Sequence, residues 1–283
     1  MGAVTLPRLD HLKGVCWGAE NCLIIGPQVA QNSEDQLNQL AGLLESVSAI
    51  FSTKIEVTTR IYRRQRYPIY SMLGDHGLNV LSPRLLSSKT LTQINLNECD
   101  ISDAGAQSLA MVLNGLPSLT ELFLNKNRIG LPGIKALMNA LLTNGTLKTL
   151  HLNTQNPPLS DAAARPISAM LLANSTLTSI DLSDHAFRER GFSAIAFAVG
   201  ANTGLVHCDI FSNRRLSSRN ITELKEMSLT NSTLRYFKIK QIKLISNFLQ
   251  RNDFNFAQRQ VTLLQLLLPL SKLPVIEESS THF

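Results

Sequence analysis

The sequence predicts an α/β solenoid, a horseshoe of stacked strand–helix units with parallel strands on the concave face and helices on the convex face. Two observations carry this expectation. The pattern L-x-x-L-x-L recurs from Leu91, Leu119, Leu147, Leu177, Leu205 and Leu234, at spacings of 28, 28, 30, 28 and 29 residues. In the clear units an apolar stripe of helical period follows it. A strand, a helical crossover and a second parallel strand form the short way to repeat such a unit. A single unit cannot bury its own apolar face, whereas stacked units can.

Taken in chain order, residues 1–33 show no clear period and read as irregular. Ser33-Glu-Asp-Gln36 has the capping-box pattern of a helix start. Leu37, Leu40, Ala41 and Leu44 continue it on one face to about Ile50, as a helix expected to cap the open N-terminal end. Gly77 to Leu91 aligns without a gap with Gly133 to Leu147, so a unit precedes the first clear one, with its strand expected within 54–70. In each strand alternate side chains face opposite ways: Leu122 and Leu124 inward, Glu121, Phe123 and Asn125 outward. In the second unit Ile134, Leu137, Met138, Leu141 and Leu142 make the helical stripe; in the fourth, Phe192, Ile195, Ala196 and Val199 do. Gly105, Gly133 and Gly191 open equivalent helices. Asn144, Asn174, Asn202 and Asn231 follow the helices, where a left-handed residue is expected. Pro157-Pro158 and Pro166 predict a distorted or short helix in the third unit. A shortened helix is expected over 241–252. A Leu-rich capping helix should follow over 253–270, ended by Pro269 and Pro274, and then a polar tail. The expected division is 1–53, N-terminal segment and capping helix; 54–252, solenoid; 253–283, C-terminal cap and tail.

These units resemble the leucine-rich repeat, in its ribonuclease-inhibitor-like subtype. That family carries Asn or Cys nine residues into each unit, bonded to the neighbouring loop. The position here is held by Cys99, Asn127, Gln155, His185 and Asn213. Gln155 and His185 depart from the pattern, so the ladder is expected to be imperfect in the third and fourth units.

Composition narrows the function classes. The chain is 44% hydrophobic and 17% charged over 283 residues, which excludes wholesale disorder and allows a full core. The apolar run 261–270 is too short for a bilayer span and is broken by Thr262, Gln265 and Pro269. The start has no signal-peptide order, and Leu6 stands where a myristoylation site needs Ser or Thr. A soluble cytoplasmic monomer is the expectation. The net charge of +6 is concentrated at the two ends, in Arg60, Arg63, Arg64 and Arg66 and in Arg235, Lys238, Lys240 and Lys243. This reads as solvated surface rather than as a nucleic-acid interface. No CxxC pair occurs. Cys99 and Cys208 fall on buried repeat positions, a usage that favours a reducing compartment, and Cys16 and Cys22 receive no role.

The strand positions that face away from the core define the candidate site. Glu121, Phe123, His151, Asp181, His207, Asp209, Phe211, Tyr236 and Lys238 are its chemically informative members, with Phe123, Phe211 and Tyr236 as aromatic anchors. Six strands at about 4.8 Å spacing give a face about 25 Å wide, enough for much of a standard protein interface. His151, Asp181, His207 and Asp209 lack an adjacent nucleophile, and the two histidines lie two strands apart. They read as a mixed recognition surface rather than as a metal or acid–base site. Four N-x-S/T sequons, at Asn144, Asn174, Asn220 and Asn231, read as helix chemistry. Walker, GxSxG, HExxH and kinase signatures are absent, and no cofactor is expected.

The repeat's outward surface and the absence of catalytic motifs point to a non-enzymatic protein-binding module, since a fold alone does not fix function. Its irregular repeats and unmatched flanks are similar to leucine-rich repeat effectors that intracellular bacterial pathogens deliver into eukaryotic cells, which implies a host protein as partner. The tail from Leu273 to Phe283, with Glu277 and Glu278, is similar to the tails of type IV secretion substrates. Two alternatives share the repeat. Ran GTPase-activating proteins carry a strongly acidic C-terminal run, and this chain ends basic to mixed. A repeat-guided ubiquitin ligase would need a catalytic domain with a cysteine beyond Cys208, and none follows in this sequence.

Overall fold

In the computed structural model the described residues are 15–17, 22–25, 35, 38–39, 42, 53–57, 74–86, 88–210, 213 and 217–238. Among them the strands β1 (Val15–Trp17), β2 (Cys22–Ile25), β3 (Thr53–Val57), β4 (Leu91–Asn95), β5 (Glu121–Phe123), β6 (Thr149–His151), β7 (Ser179–Asp181), β8 (His207–Asp209) and β9 (Tyr236–Lys238) form one sheet, in chain order. β1 runs antiparallel to β2, and every later pairing is parallel. The helices are α1 (Gly74–Leu85), α2 (Asp103–Leu113), α3 (Leu131–Leu141), α4 (Asp161–Ala173), α5 (Glu189–Ala201) and α6 (Ser218–Thr230). Each packs on the next along the stack. The fold is an open α/β leucine-rich repeat solenoid. No helix among the described residues is long and apolar enough to cross a membrane.

The core lies between the strand layer and the helix layer. Ile94, Leu122, Leu150, Ile180, Cys208 and Phe237 point into it from successive strands, all buried. Leu96, Leu124, Leu152 and Leu182 form the next rung and are equally buried. Their N–H groups extend the ladder past the strand ends, donating to the carbonyls of Phe123, His151, Asp181 and Asp209. From the helices, Ile134, Leu137, Met138 and Leu141 of α3 close the core as the stripe predicts. Leu142 does not: it forms the helix C-cap and is 40% exposed.

The N-terminal segment departs from expectation. Residues 15–17 and 22–25 are not irregular but form the first two strands of the sheet. Asp35, Asn38, Gln39 and Gly42 are helical, as the capping-box start predicts. They fall in sequence between two paired parallel strands, so this helical stretch belongs to a crossover rather than to a cap outside the sheet. Val-Cys-Trp and Cys-Leu-Ile-Ile are continuous apolar runs without the L-x-x-L-x-L spacing, which is why the repeat pattern passes over them. β3 lies at the start of the interval expected to hold it. The helices expected over 241–252 and 253–270 lie outside the described residues.

Three side-chain ladders tie unit to unit. The first runs under the loops that follow the strands. Asn127 Oδ1 accepts the N–H groups of Cys99 and Ile101 at 3.0 and 3.1 Å, and its amide donates to the carbonyls of Leu96 and Leu124. Asn213 repeats this on Phe187, Leu182 and Ile210. The ladder is not broken at the two departures. Gln155 accepts from Ile129 and donates to the carbonyls of Leu124 and Leu152. His185 accepts from the Leu159 N–H and bonds the Leu152 carbonyl. Each offers one acceptor and one donor at the right reach, which is all the position requires.

The second ladder runs through the helix C-caps. Asn174, Asn202 and Asn231 are extended there (φ −98°, −72° and −81°), not left-handed. Their side chains explain the difference. Asn174 accepts from the N–H groups of Thr176 and Leu177 and donates to the carbonyls of Leu141 and Asn144, and Asn202 and Asn231 do the equivalent. Buried and engaged in this way, the amides of Asn144, Asn174 and Asn231 serve structure and not glycosylation.

The third ladder caps the helix N-termini from the preceding unit. Asp103 Oδ1 accepts the N–H groups of Gly130 and Gly133, both at 2.8 Å. Asp75 does the same for Ser102 and Gly105, and Asp161 for Arg188. A Cβ on Gly133 would stand 2.8 Å from that Asp103 oxygen and 2.7 Å from Ile129 Cγ2, so the position needs glycine.

Pro166 does not shorten its helix. α4 runs 13 residues, as long as α5 and α6. The proline removes one hydrogen bond in the second turn. Ala163, Ala164, Ile167, Met170 and Leu171 still bury a full face around it. The extra residues of the third unit are accommodated in the loop after β6, at Pro157-Pro158.

Candidate functional site

The period of the repeat turns sequence spacing into rows across the sheet. One row reads Asn95, Phe123, His151, Asp181, Asp209 and Lys238, each the registered partner of the next. A parallel row reads Gln93, Glu121, Thr149, Ser179, His207 and Tyr236. The sequence-predicted residues therefore share one face, on two adjacent rows. Phe211 lies outside the described residues, and Lys238 is placed by its backbone alone.

Within the rows the aromatic rings contact imidazoles. The Phe123 and His151 rings meet edge to face, with centroids 4.9 Å apart at 82°. His207 and Tyr236 lie 5.8 Å apart at 37°. Phe123, His151 and Tyr236 are half-buried and His207 is exposed. Burial lowers the His151 pKa, opposed by the carboxylates of Asp181, Asp209 and Glu121.

The carboxylate of Asp181 is built into the face. One oxygen accepts from Asn153 Nδ2 at 2.6 Å; the other accepts from the Ser183 hydroxyl at 2.6 Å and the Ser183 N–H at 2.9 Å. The neighbouring asparagines are likewise structural. Asn97 Oδ1 accepts the Asn125 N–H and Asn125 Oδ1 the Asn153 N–H, at 2.7 and 3.0 Å. These side chains fix the rim of the face, a role their outward position does not reveal in the sequence.

His151 and His207 fall in different rows, two strands apart. Among the described residues no group of three His, Cys, Asp or Glu side chains could hold a metal ion. From β4 to β8 the outward strand positions carry three carboxylates, Glu121, Asp181 and Asp209, and neither lysine nor arginine. The face thus has the opposite sign to the chain as a whole, which is +6.

The sequence does not point to a second concavity, on the helical side. A groove of about 660 Å³ between α5 and α6 is lined by Ala194, Phe197, Gly200, Arg219, Glu223 and Met227. Phe197 is 71% exposed there, one residue off the buried stripe of α5.

Comparison with known proteins bears on the fold that carries this face. Residues 87–110, 115–138 and 173–196 match the leucine-rich repeat family model. Ribonuclease inhibitor of Sus scrofa is 29% identical over 165 residues, 58% of this chain and 36% of that protein. The NACHT, LRR and PYD domains-containing protein 13 of Homo sapiens is 29% identical over 164 residues, 58% of this chain and 15% of that protein. The matched stretch therefore spans about a third or less of the length of these relatives. The solved structure of leiomodin-1 actin-binding site 2 aligns at 16% identity and a TM-score of 0.41, over 69% of this chain and 88% of that one.

Proposed function

We propose that this ribonuclease-inhibitor-like leucine-rich repeat chain is a non-enzymatic binding module that docks a partner protein on its concave strand face. Leucine-rich repeat proteins in general mediate protein–protein binding. The observation that carries the reading is the composition of that face. Two aromatic–imidazole pairs, at Phe123–His151 and His207–Tyr236, flank a polar centre whose charges are all carboxylates on β4 to β8. Aromatic side chains on a pre-ordered polar surface are typical interface anchors. The partner that complements them presents a basic surface, with arginine or lysine placed to meet Glu121.

The test is an affinity capture from eukaryotic lysate, comparing the wild-type chain with a Phe123→Ala/Tyr236→Ala variant whose circular dichroism matches wild type. A specific band lost with the variant, and weakened by salt, supports the docking face. Equal recovery by both proteins overturns it.

The host-delivered form of this reading rests on the tail with Glu277 and Glu278 and on the irregular repeats. A translocation reporter fused to the chain, with and without residues 273–283, tests it; delivery that ignores the tail removes its support. Action as a Ran-type GTPase activator would raise the hydrolysis rate of small GTPases, and as a ligase component would capture ubiquitin by thioester. Neither is expected.

A further inference from the structure

The solenoid departs from its period at the loop that follows β6, in a unit of 30 residues where the two before it have 28. Beside the backbone bonds of Thr154 to Ser183 and of Ala186 to Leu159, one ring from the next unit holds that loop. His185 is buried, and both of its nitrogens are bonded to main chain. Nδ1 accepts the Leu159 N–H at 3.3 Å, and Nε2 faces the Leu152 carbonyl at 3.0 Å. A carbonyl only accepts and an N–H only donates, so the bridge requires the neutral ring with its hydrogen on Nε2. The equivalent rungs at Asn127, Gln155 and Asn213 use amides, which do not titrate in this range. His185 is the one rung among the described residues whose bonding pattern a single proton reverses.

We propose that His185 makes the joint between the third and fourth units an acid-operated latch. A proton on Nδ1 turns that atom from acceptor to donor and sets it against the Leu159 N–H. The loop across residues 154–160 then loses the His185 bond and is left with a buried donor unpaired, while the Leu159 carbonyl still accepts the Ala186 N–H and the Thr154 N–H still donates to the Ser183 carbonyl.

The groups facing the ring come from three units. Asp181 and Asp184, in its own unit, favour the charged form. The preceding unit presents only uncharged partners: the Leu152 carbonyl, the Leu159 amide and Gln155, which shares the Leu152 carbonyl. The following unit contributes Asn213, whose oxygen holds the Phe187 N–H, and the Phe187 ring packs edge-on to the imidazole at 5.6 Å. Burial outweighs the Leu152 carbonyl bond and the two carboxylates, which favour the charged ring, and pulls the pKa down to about 4. The sign follows. The folded value lies below the ordinary one, so the opened chain binds the proton more tightly. The stabilisation is complete above about pH 6.5 and is lost as pH falls toward 4.

Urea unfolding of the full chain between pH 7.5 and pH 4, wild type against His185→Asn, tests the latch. Asparagine restores the amide rung and removes the proton site, while His151, which also titrates low, remains in both proteins. Relative to the variant, the wild-type unfolding constant is expected to rise on the order of 100-fold across this range. Parallel pH profiles overturn the proposal. Should the variant not fold, an NMR titration of the His185 ring in the wild-type chain decides. A midpoint below pH 5 with the hydrogen on Nε2 supports the latch; a midpoint near pH 6.5, or the hydrogen on Nδ1, overturns it.

Discussion

The side-chain amide of Asn174 serves four backbone groups at once, two N–H groups of its own turn and two carbonyls of the preceding unit. Replacing it by Ala leaves them buried without partners. Asn174→Ala is expected to cost about 3 kcal/mol, read as a lower urea midpoint. Asn174→Asp keeps the acceptor and loses the donor, and so tests which half matters. Gly133 answers to the same logic of close approach. Gly133→Ala forces Asp103 or Ile129 aside and is expected to cost about 1–3 kcal/mol in the same measurement. Burial drives the Cys99 and Cys208 thiols well above their ordinary pKa. Both are therefore expected to react with an alkylating reagent only after unfolding, a result that mass spectrometry of labelled native and denatured protein would check.

Within each element the recurring strain sits in the turn after the strand. Glu98, Lys126, Thr154 and Asp184 occupy the same position of their units at φ 58°, 55°, 55° and 57°. Thr154 is the β-branched member, the type that tolerates this region least. Thr154→Asn is expected to stabilise the chain by about 1 kcal/mol, measured by urea unfolding. The sequence places left-handed residues elsewhere, at the asparagines after the helices. That error has a cause: asparagine at a helix end satisfies two different devices, a left-handed cap and a bridging amide, and only a neighbouring unit distinguishes them. Elements β4 to β9 and α2 to α6 are legible because spacing near 28 residues exposes their apolar positions together. β1 and β2 are not, because their short apolar runs have no second copy to be compared with. The persistence of α4 past Pro166 was also hidden, since the burial that rescues it comes from α3 and α5 on either side.

At the scale of the molecule, the strand register converts that spacing into two outward rows, so which residues share the candidate face was readable before their contacts were. What was not readable is which of them are occupied by the fold itself. Asp181, Asn97 and Asn125 look like recognition residues by position and are bonded into the rim. Substituting Asp181 is accordingly expected to alter thermal stability as well as binding, whereas His207→Ala should shift the melting temperature by no more than about 1 °C. The inter-unit ladders also share one sequence separation: their side-chain bonds join residues 26 to 33 apart. No strap runs from one end of the stack to the other among these bonds. Pulled from its two termini in an optical trap, the molecule should therefore unravel like a row of stitches, each slip releasing one loop of thread roughly 90 Å long.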